Sequence, residues 1–226
     1  MRYVFLIASA MFLLNLVCSS AQDCPEKCCD QPATECESGF VSLFNGKNFD
    51  GWQGALGAYE VENGVLSSRK GAHVNLFTKK EYSDFILRLE YKVPPCGNNG
   101  VGIRTTLEGA PSVYGIEIQI LDDALANQRK LDPVQLNGSI YGVVAAETGH
   151  DKPVGEWNAM EIYADGPHIR VTLNDVVIVD ADISQFGDVH YHGNDLVGLH
   201  NEKGHIALCG HNDPVSFRNI RIKELD

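Results

Sequence analysis

Basic side chains are scarce in this chain: 18 Lys and Arg stand against 30 Asp and Glu, for a net charge of −12 over 226 residues. So acidic a protein has no electrostatic attraction to phosphate backbones or anionic lipid, which argues against nucleic acid and membrane surfaces as partners. Neutral ligands such as sugars are compatible with it. Also lacking are a convincing long helical period, internal repeats and any low-complexity tract. No His-Glu-x-x-His pattern announces a zinc protease, and no glycine-rich loop carries the lysine of a phosphate cradle.

What is present begins with an export signal. Arg2 precedes an apolar run from Val4 to Val17, broken only by Ser9 and Asn15, and Ser19-Ser20-Ala21 follows with small residues at cleavage spacing. This predicts a secretory signal peptide over residues 1–21, cut after Ala21, and a periplasmic or extracellular product. The run is short for a membrane anchor, and no basic cluster follows to stop transfer. A lipid anchor on Cys18 is the weaker alternative, because Asn15-Leu16-Val17 lacks the small residue that lipoprotein processing wants. The remaining length suits one sizeable domain.

Of the 7 cysteines, Cys18 leaves with the signal, and Cys24, Cys28, Cys29 and Cys36 crowd a polar segment over residues 22–38 without periodicity. In an exported protein an even cluster reads as disulfides, with a four-thiol zinc knot as the rival. Cys96 and Cys209 either form a further bridge or stay free. From Gly39 onward the pattern becomes short strands. Phe85, Leu87, Leu89 and Tyr91 alternate with Arg88, Glu90 and Lys92, and Ile116, Ile118 and Ile120 alternate with Glu117 and Gln119. Val101 and Ile103, Met160 and Ile162, Ile169, Val171 and Leu173, and Ile206 and Leu208 repeat the theme, with Ile220 and Ile222 closing the chain. Asn63-Gly64 marks a hairpin turn. The expected fold is all-β: two antiparallel sheets packed face to face as a jelly-roll sandwich over residues 39–226. Residues 123–131 are expected to hold at most a turn or two of helix.

The polar halves of these strands hold the chemistry. Glu90, Arg104, Glu117 and Gln119 fall opposite apolar rows, and Asp122 ends the strand of Glu117. If the strands are neighbours, carboxylates and a guanidinium share one face, as glycosidic bond cleavage often needs; the plainer alternative is a solvated face with ion pairs such as Glu90 to Arg104. Trp52, Tyr114, Tyr141 and Trp157 are the aromatics placed to stack on a sugar ring, although each is more readily a core residue. His190-Tyr191-His192, on a strand, puts two imidazoles on one face. His211, in the glycine-rich stretch Gly210-His211-Asn212-Asp213 just past a strand end, is the histidine chosen for function.

Taken in order, many segments resemble one family, the 3-keto-disaccharide hydrolase domain. They include Gly39-Phe40-Val41-Ser42-Leu43-Phe44-Asn45-Gly46-Lys47 with Gly51-Trp52, then Leu89-Glu90-Tyr91-Lys92, then Asn98-Asn99-Gly100-Val101 with Arg104. Tyr114-Gly115-Ile116-Glu117-Ile118-Gln119-Ile120-Leu121-Asp122, Gly138-Ser139-Ile140-Tyr141-Gly142, Gly155-Glu156-Trp157-Asn158, Gly204-His205-Ile206 and Phe217-Arg218-Asn219-Ile220-Arg221 continue it to the C-terminus. The resemblance implies a concanavalin-A-like jelly roll and cleavage of disaccharides already oxidised to the 3-keto form, with a non-catalytic carbohydrate-binding domain as the alternative. The chain departs from the family at Cys209-Gly210-His211, where a Gln-Asp-His run is usual, at Asn174-Asp175, and in a longer segment from Gln185 to Gly204.

For such a reaction the resemblance implies Glu117 or His211 as base or acid and Arg104 as the stabiliser of a developing enolate. Glu90, Gln119, Asp122, Tyr141 and Trp157 would bind and orient the sugar. No cofactor is called for, although a divalent metal held by Glu117 and His211 would be an alternative to Arg104.

Overall fold

A computed structural model describes residues 39–226. The expected signal peptide and the Cys-rich segment with its four cysteines lie outside the described residues. Fifteen strands are described: β1 (Val41–Ser42), β2 (Trp52–Gly54), β3 (Tyr59–Glu62), β4 (Val65–Ser68), β5 (Leu76–Tyr82), β6 (Phe85–Lys92), β7 (Asn98–Thr105) and β8 (Ile116–Leu121), then β9 (Asn158–Asp165), β10 (His168–Leu173), β11 (Val176–Asp182), β12 (His190–Tyr191), β13 (Asn194–Asp195), β14 (Gly204–Gly210) and β15 (Ser216–Glu224). Two short helices, α1 (Pro111–Tyr114) and α2 (Asp123–Arg129), flank β8.

The strands form an eight-stranded sheet, ordered β11-β10-β9-β6-β15-β4-β3 with β1 also on β15, and a five-stranded sheet ordered β2-β5-β14-β7-β8. Their pairings are antiparallel, as the expected sandwich requires. The small hairpin β12-β13 stands apart from both sheets. Asn63-Gly64 and Asn174-Asp175 turn two hairpins with positive φ at both residues, a geometry whose twist suits two-residue hairpins.

Period-two alternation builds the core. Phe85, Leu87, Leu89 and Tyr91 of β6, with Met160 and Ile162 of β9 and Phe217 and Ile222 of β15, belong to the same buried cluster as Val101, Ile103, Ile116, Ile118, Ile120, Ile206 and Leu208 of the five-stranded sheet. Trp52 belongs to this core at 1% exposure, its indole N–H donating to the Leu43 carbonyl at 2.7 Å. The two sheets differ on their other faces. In β6 buried and half-exposed residues alternate, whereas all six residues of β8 and all seven of β14 are buried. The outer face of the five-stranded sheet is therefore covered over β8 and β14, and the polar side chains there lie beneath that cover.

Candidate functional site

The floor of the site is the outer face of β8, β7 and β14. In register, Gly102 pairs with Glu117 and Ala207, and Gly100 pairs with Gln119 and Cys209. With two glycines on this face, the middle strand has no side chains where its neighbours do. The Glu117 carboxyl occupies that gap: a Cβ on Gly100 would lie 2.0 Å from Glu117 Oε1. Gly102 has a related role, since a Cβ there would come within 2.8 Å of Pro111, so its absence lets α1 settle on the strand. That placement brings Ser112 of α1 to Glu117 from above, while Cys209 reaches it from β14.

Burial dominates the electrostatics. Glu117 is 5% exposed, and its Oε1 has no hydrogen-bond partner among the described residues. Loss of water raises its carboxyl pKa to about 7, against the downward pull of hydrogen bonds from Ser112 and the Cys209 thiol. The thiol is itself pushed well above its ordinary value, first by burial and then by the adjacent carboxylate, so Cys209 is a neutral donor and not a nucleophile. His211 is shifted downward by burial and by the neighbouring His73, whose ring meets it edge-on at 5.5 Å between centroids. At neutral pH the site thus holds a carboxyl poised between its two states and an uncharged imidazole.

Glu117, Gln119, Tyr141 and His211 line one cavity of about 240 Å³, together with Asn98, Ser112, Gln135 and Arg129. Gln119 Nε2 donates to Asn98 Oδ1 at 2.7 Å, and the Asn98 backbone N–H donates to Asp213 at 3.1 Å, which ties the His211 loop to the start of β7. Gln135 is held at both ends of its amide: it accepts from the Asp132 N–H at 3.1 Å and donates to the Tyr141 hydroxyl at 3.3 Å. Tyr191 of β12 packs edge-on against Tyr141 at 5.5 Å and donates to Asp132 at 3.0 Å. Gly142 makes room for it, since a Cβ there would meet the Tyr191 ring at 2.8 Å. The segment from Gln185 to Gly204 thus supplies a buttress to the cavity wall. Gly210 is also explained: a Cβ there would sit 2.4 Å from the Val74 carbonyl, so no aspartate fits at that position.

Four of the eight residues expected at a site do not join this cavity. Arg104 was expected beside Glu117 because strand parity places it with Gly100 and Gly102. Between Gly102 and Thr105, however, β7 advances three residues where β14 advances two, and Arg104 takes φ of 50°. This bulge breaks the parity. The guanidinium runs instead to one end of the sandwich, donating to Ser83 O at 2.9 Å, Gly166 O at 2.6 Å and Asp84 Oδ1 at 2.8 Å. A larger cavity of about 370 Å³ lies there, but the Arg104 and Asp84 polar groups are engaged in joining turns. Glu90 lies on the eight-stranded sheet, where it pairs with Arg218 at 2.6 Å and not with Arg104. Trp157 is on that sheet's side as well, with Arg218 at 4.1 Å and Lys92 at 4.9 Å from its ring centre. Asp122 is adjacent to the cavity but turned to structural work, accepting from the backbone N–H groups of Cys96 at 2.5 Å and Ala124 at 3.1 Å.

The remaining expectations resolve locally. Cys96 and Cys209 are both free. His192 leaves the strand in a left-handed turn with φ of 48° and meets the Tyr191 ring edge-on, while His190 pairs with Asp195 at 2.8 Å, so the two imidazoles do not form a pair of ligands. Tyr114 is 43% exposed at the end of α1. Among the described residues no group of three or more His, Cys, Asp and Glu is arranged to hold a metal, so Glu117 and His211 have no third such ligand. Sequence reasoning missed Ser112, Arg129 and Gln135, which sit on short irregular segments without periodicity. It also missed the carboxyl-to-thiol contact, although the alternation of Gly100 and Gly102 was a signal that something lies over β7.

Comparison with known proteins gives a consistent picture. Residues 39–223 match the family described as the 3-keto-alpha-glucoside-1,2-lyase-like domain. A 3-keto-disaccharide hydrolase of Bacteroides thetaiotaomicron is 24% identical over 229 residues, covering 83% of this chain and 79% of that protein. A crystal structure from Parabacteroides distasonis, described as a "putative glycosyl hydrolase", superposes with a TM-score of 0.72 at 30% identity, covering 82% of this chain and 99% of that one. The carbohydrate binding module CBM66 of Bacillus subtilis shares the fold alone, with a TM-score of 0.53 at 14% identity over 77% of this chain and 96% of that module.

Proposed function

Because this chain belongs to the 3-keto-alpha-glucoside-1,2-lyase-like domain family, we propose that it cleaves the glycosidic bond of 3-keto-disaccharides or related 3-keto-glycosides by elimination and rehydration, outside the cytoplasm. The observation that carries this reading is the Glu117 carboxyl: buried, with one oxygen unpartnered, held near neutral pKa in a sugar-sized cavity that His211 also lines.

The chemistry follows from the ketone. A carbonyl at C3 acidifies the hydrogen on C2. The Glu117 carboxylate takes that proton; the C2–H electrons form a C2=C3 double bond, and the carbonyl electrons move to the C3 oxygen. When the C3 carbonyl reforms, the electrons shift to C1=C2 and the C1–O bond breaks. Glu117, now protonated, returns its proton to the leaving oxygen. Water then adds across C1=C2: its oxygen bonds to C1 as neutral His211 takes the water proton, the C1=C2 electrons move to form the C3 enolate, and His211 returns the proton to C2 as the carbonyl reforms. The sum is hydrolysis. A carboxyl of pKa about 7 suits both halves of this cycle, being nearly as ready to give the proton as to take it. Gln119 and Tyr141, held by Asn98 and Gln135, orient the sugar hydroxyls.

The test is incubation of the purified protein with 3-keto-trehalose and, separately, with trehalose. Consumption of the first alone is expected. Binding of both without turnover would defeat the proposal in favour of a lectin-like sugar-binding domain, and turnover of plain trehalose would defeat the requirement for the ketone.

A further inference from the structure

The elimination builds a negative charge on the C3 oxygen, and the residue first expected to meet it, Arg104, is committed to the far end of the sandwich. We propose that Arg129 holds this oxygen, as a further catalytic residue of the reaction proposed above and resting on that reading. It is the one Lys or Arg that lines the Glu117 cavity among the described residues. It has no ion pair or hydrogen bond of its own among them. By contrast, Arg69, Arg88, Arg104 and Arg218 all have carboxylate partners.

The local fold explains how Arg129 is presented. Leu121 and Leu125 are buried with Leu131, Leu136 and Cys96 packed against them, and this small cluster seats α2 at the cavity. Arg129 occupies the last turn of α2. A guanidinium offers several N–H donors in a planar fork, suited to an enolate oxygen and a neighbouring hydroxyl together. The 3-keto sugar is neutral before C2 loses its proton, so the charge that Arg129 meets exists only after the reaction begins. Such a contact accelerates turnover without tightening substrate binding. A cation that served only the negative end of the helix would affect stability and not the reaction.

The experiment compares wild type, Arg129→Gln and Arg129→Lys on 3-keto-trehalose, by steady-state kinetics and by exchange of the C2 hydrogen in D2O. Arg129→Gln should lower kcat about 100-fold with KM changed by less than about threefold, slow C2 exchange in parallel, and leave the melting temperature unchanged; the lysine variant should recover part of the loss. The inference is overturned if Arg129→Gln retains kcat, raises KM alone, or loses kcat only in proportion to a lowered melting temperature. Those failures leave the proposed reaction standing as long as wild type cleaves the 3-keto sugar. An inactive wild type would overturn the reaction and this inference together.

Discussion

Glu90 and Glu117 occupy equivalent-looking positions on period-two strands, each between apolar residues, yet the two sheets put them to opposite use. On the outer face of the eight-stranded sheet, Glu90 accepts from Arg218 at 2.7 Å and Asn219 at 2.6 Å, and its neighbour Arg88 pairs with Glu161 at 2.6 Å. That face is a partly solvated lattice of compensated charge. On the outer face of the five-stranded sheet, Glu117 forms no ion pair among the described residues, lies over glycine, and is covered by α1 and the segments that wall the cavity. Reactivity here comes from what surrounds the strand and not from the strand itself: glycine gives the carboxyl room, and the cover removes its water.

The contrast breaks most sharply by substitution at both glutamates. Glu117→Gln should reduce turnover of a 3-keto disaccharide by about a thousandfold with the fold intact, whereas Glu90→Gln should leave kcat unchanged and alter stability by about 1 kcal/mol or less. Equal kinetic losses in the two variants would erase the distinction. Next in size, Gly100→Ala should expel the carboxyl from its gap, costing about a hundredfold in kcat and about 2 kcal/mol in stability by denaturant unfolding. A fully active Gly100→Ala enzyme would mean that the gap is irrelevant.

Titration sharpens the comparison further. The folded-state pKa of Glu117 is about 7, above its ordinary 4.5, so between those values the native state binds more protons than the unfolded state. Its contribution to stability is therefore complete below pH 4.5 and is lost as pH rises through 7, by about 3 kcal/mol. The lowered pKa of His211 acts in the opposite sense, its contribution being lost as pH falls. The difference between wild type and Glu117→Gln in unfolding free energy, measured from pH 4 to pH 8, isolates the glutamate; it should move in the variant's favour as pH rises. Over the same range kcat/KM should increase through pH 7 as the base form appears. The smallest effect is expected from Cys209→Ser. A hydroxyl donates more strongly than a thiol, favours the carboxylate, and should lower the midpoint of the pH–rate profile by roughly half a unit. A raised midpoint would contradict the assigned direction of that hydrogen bond.

The sandwich was legible in the sequence because alternation reports burial on one face directly, as in Phe85 to Tyr91. The site was half legible. Glu117 and Gln119 share a face as alternation predicts, because β8 is regular and lies next to β7, and Tyr141 and His211 line the same cavity. Arg104 was misread because one inserted residue in β7 reverses its direction, and nothing in Gly102-Ile103-Arg104-Thr105 announces a bulge. Ser112 and Arg129 were invisible for another reason: they reach the site through short helices whose placement depends on Gly102 and on a leucine cluster, contacts remote in sequence.

That leucine cluster has a consequence for how α2 is held. Leu121 and Leu125, with the residues packed on them, form a hydrophobic group separate from the main core between the sheets. The apolar contacts that seat α2 on the end of β8 are thus distinct from those that hold the two sheets together. The apolar contacts that seat α2 can therefore change while the strands bearing Glu117 and Cys209 keep their register.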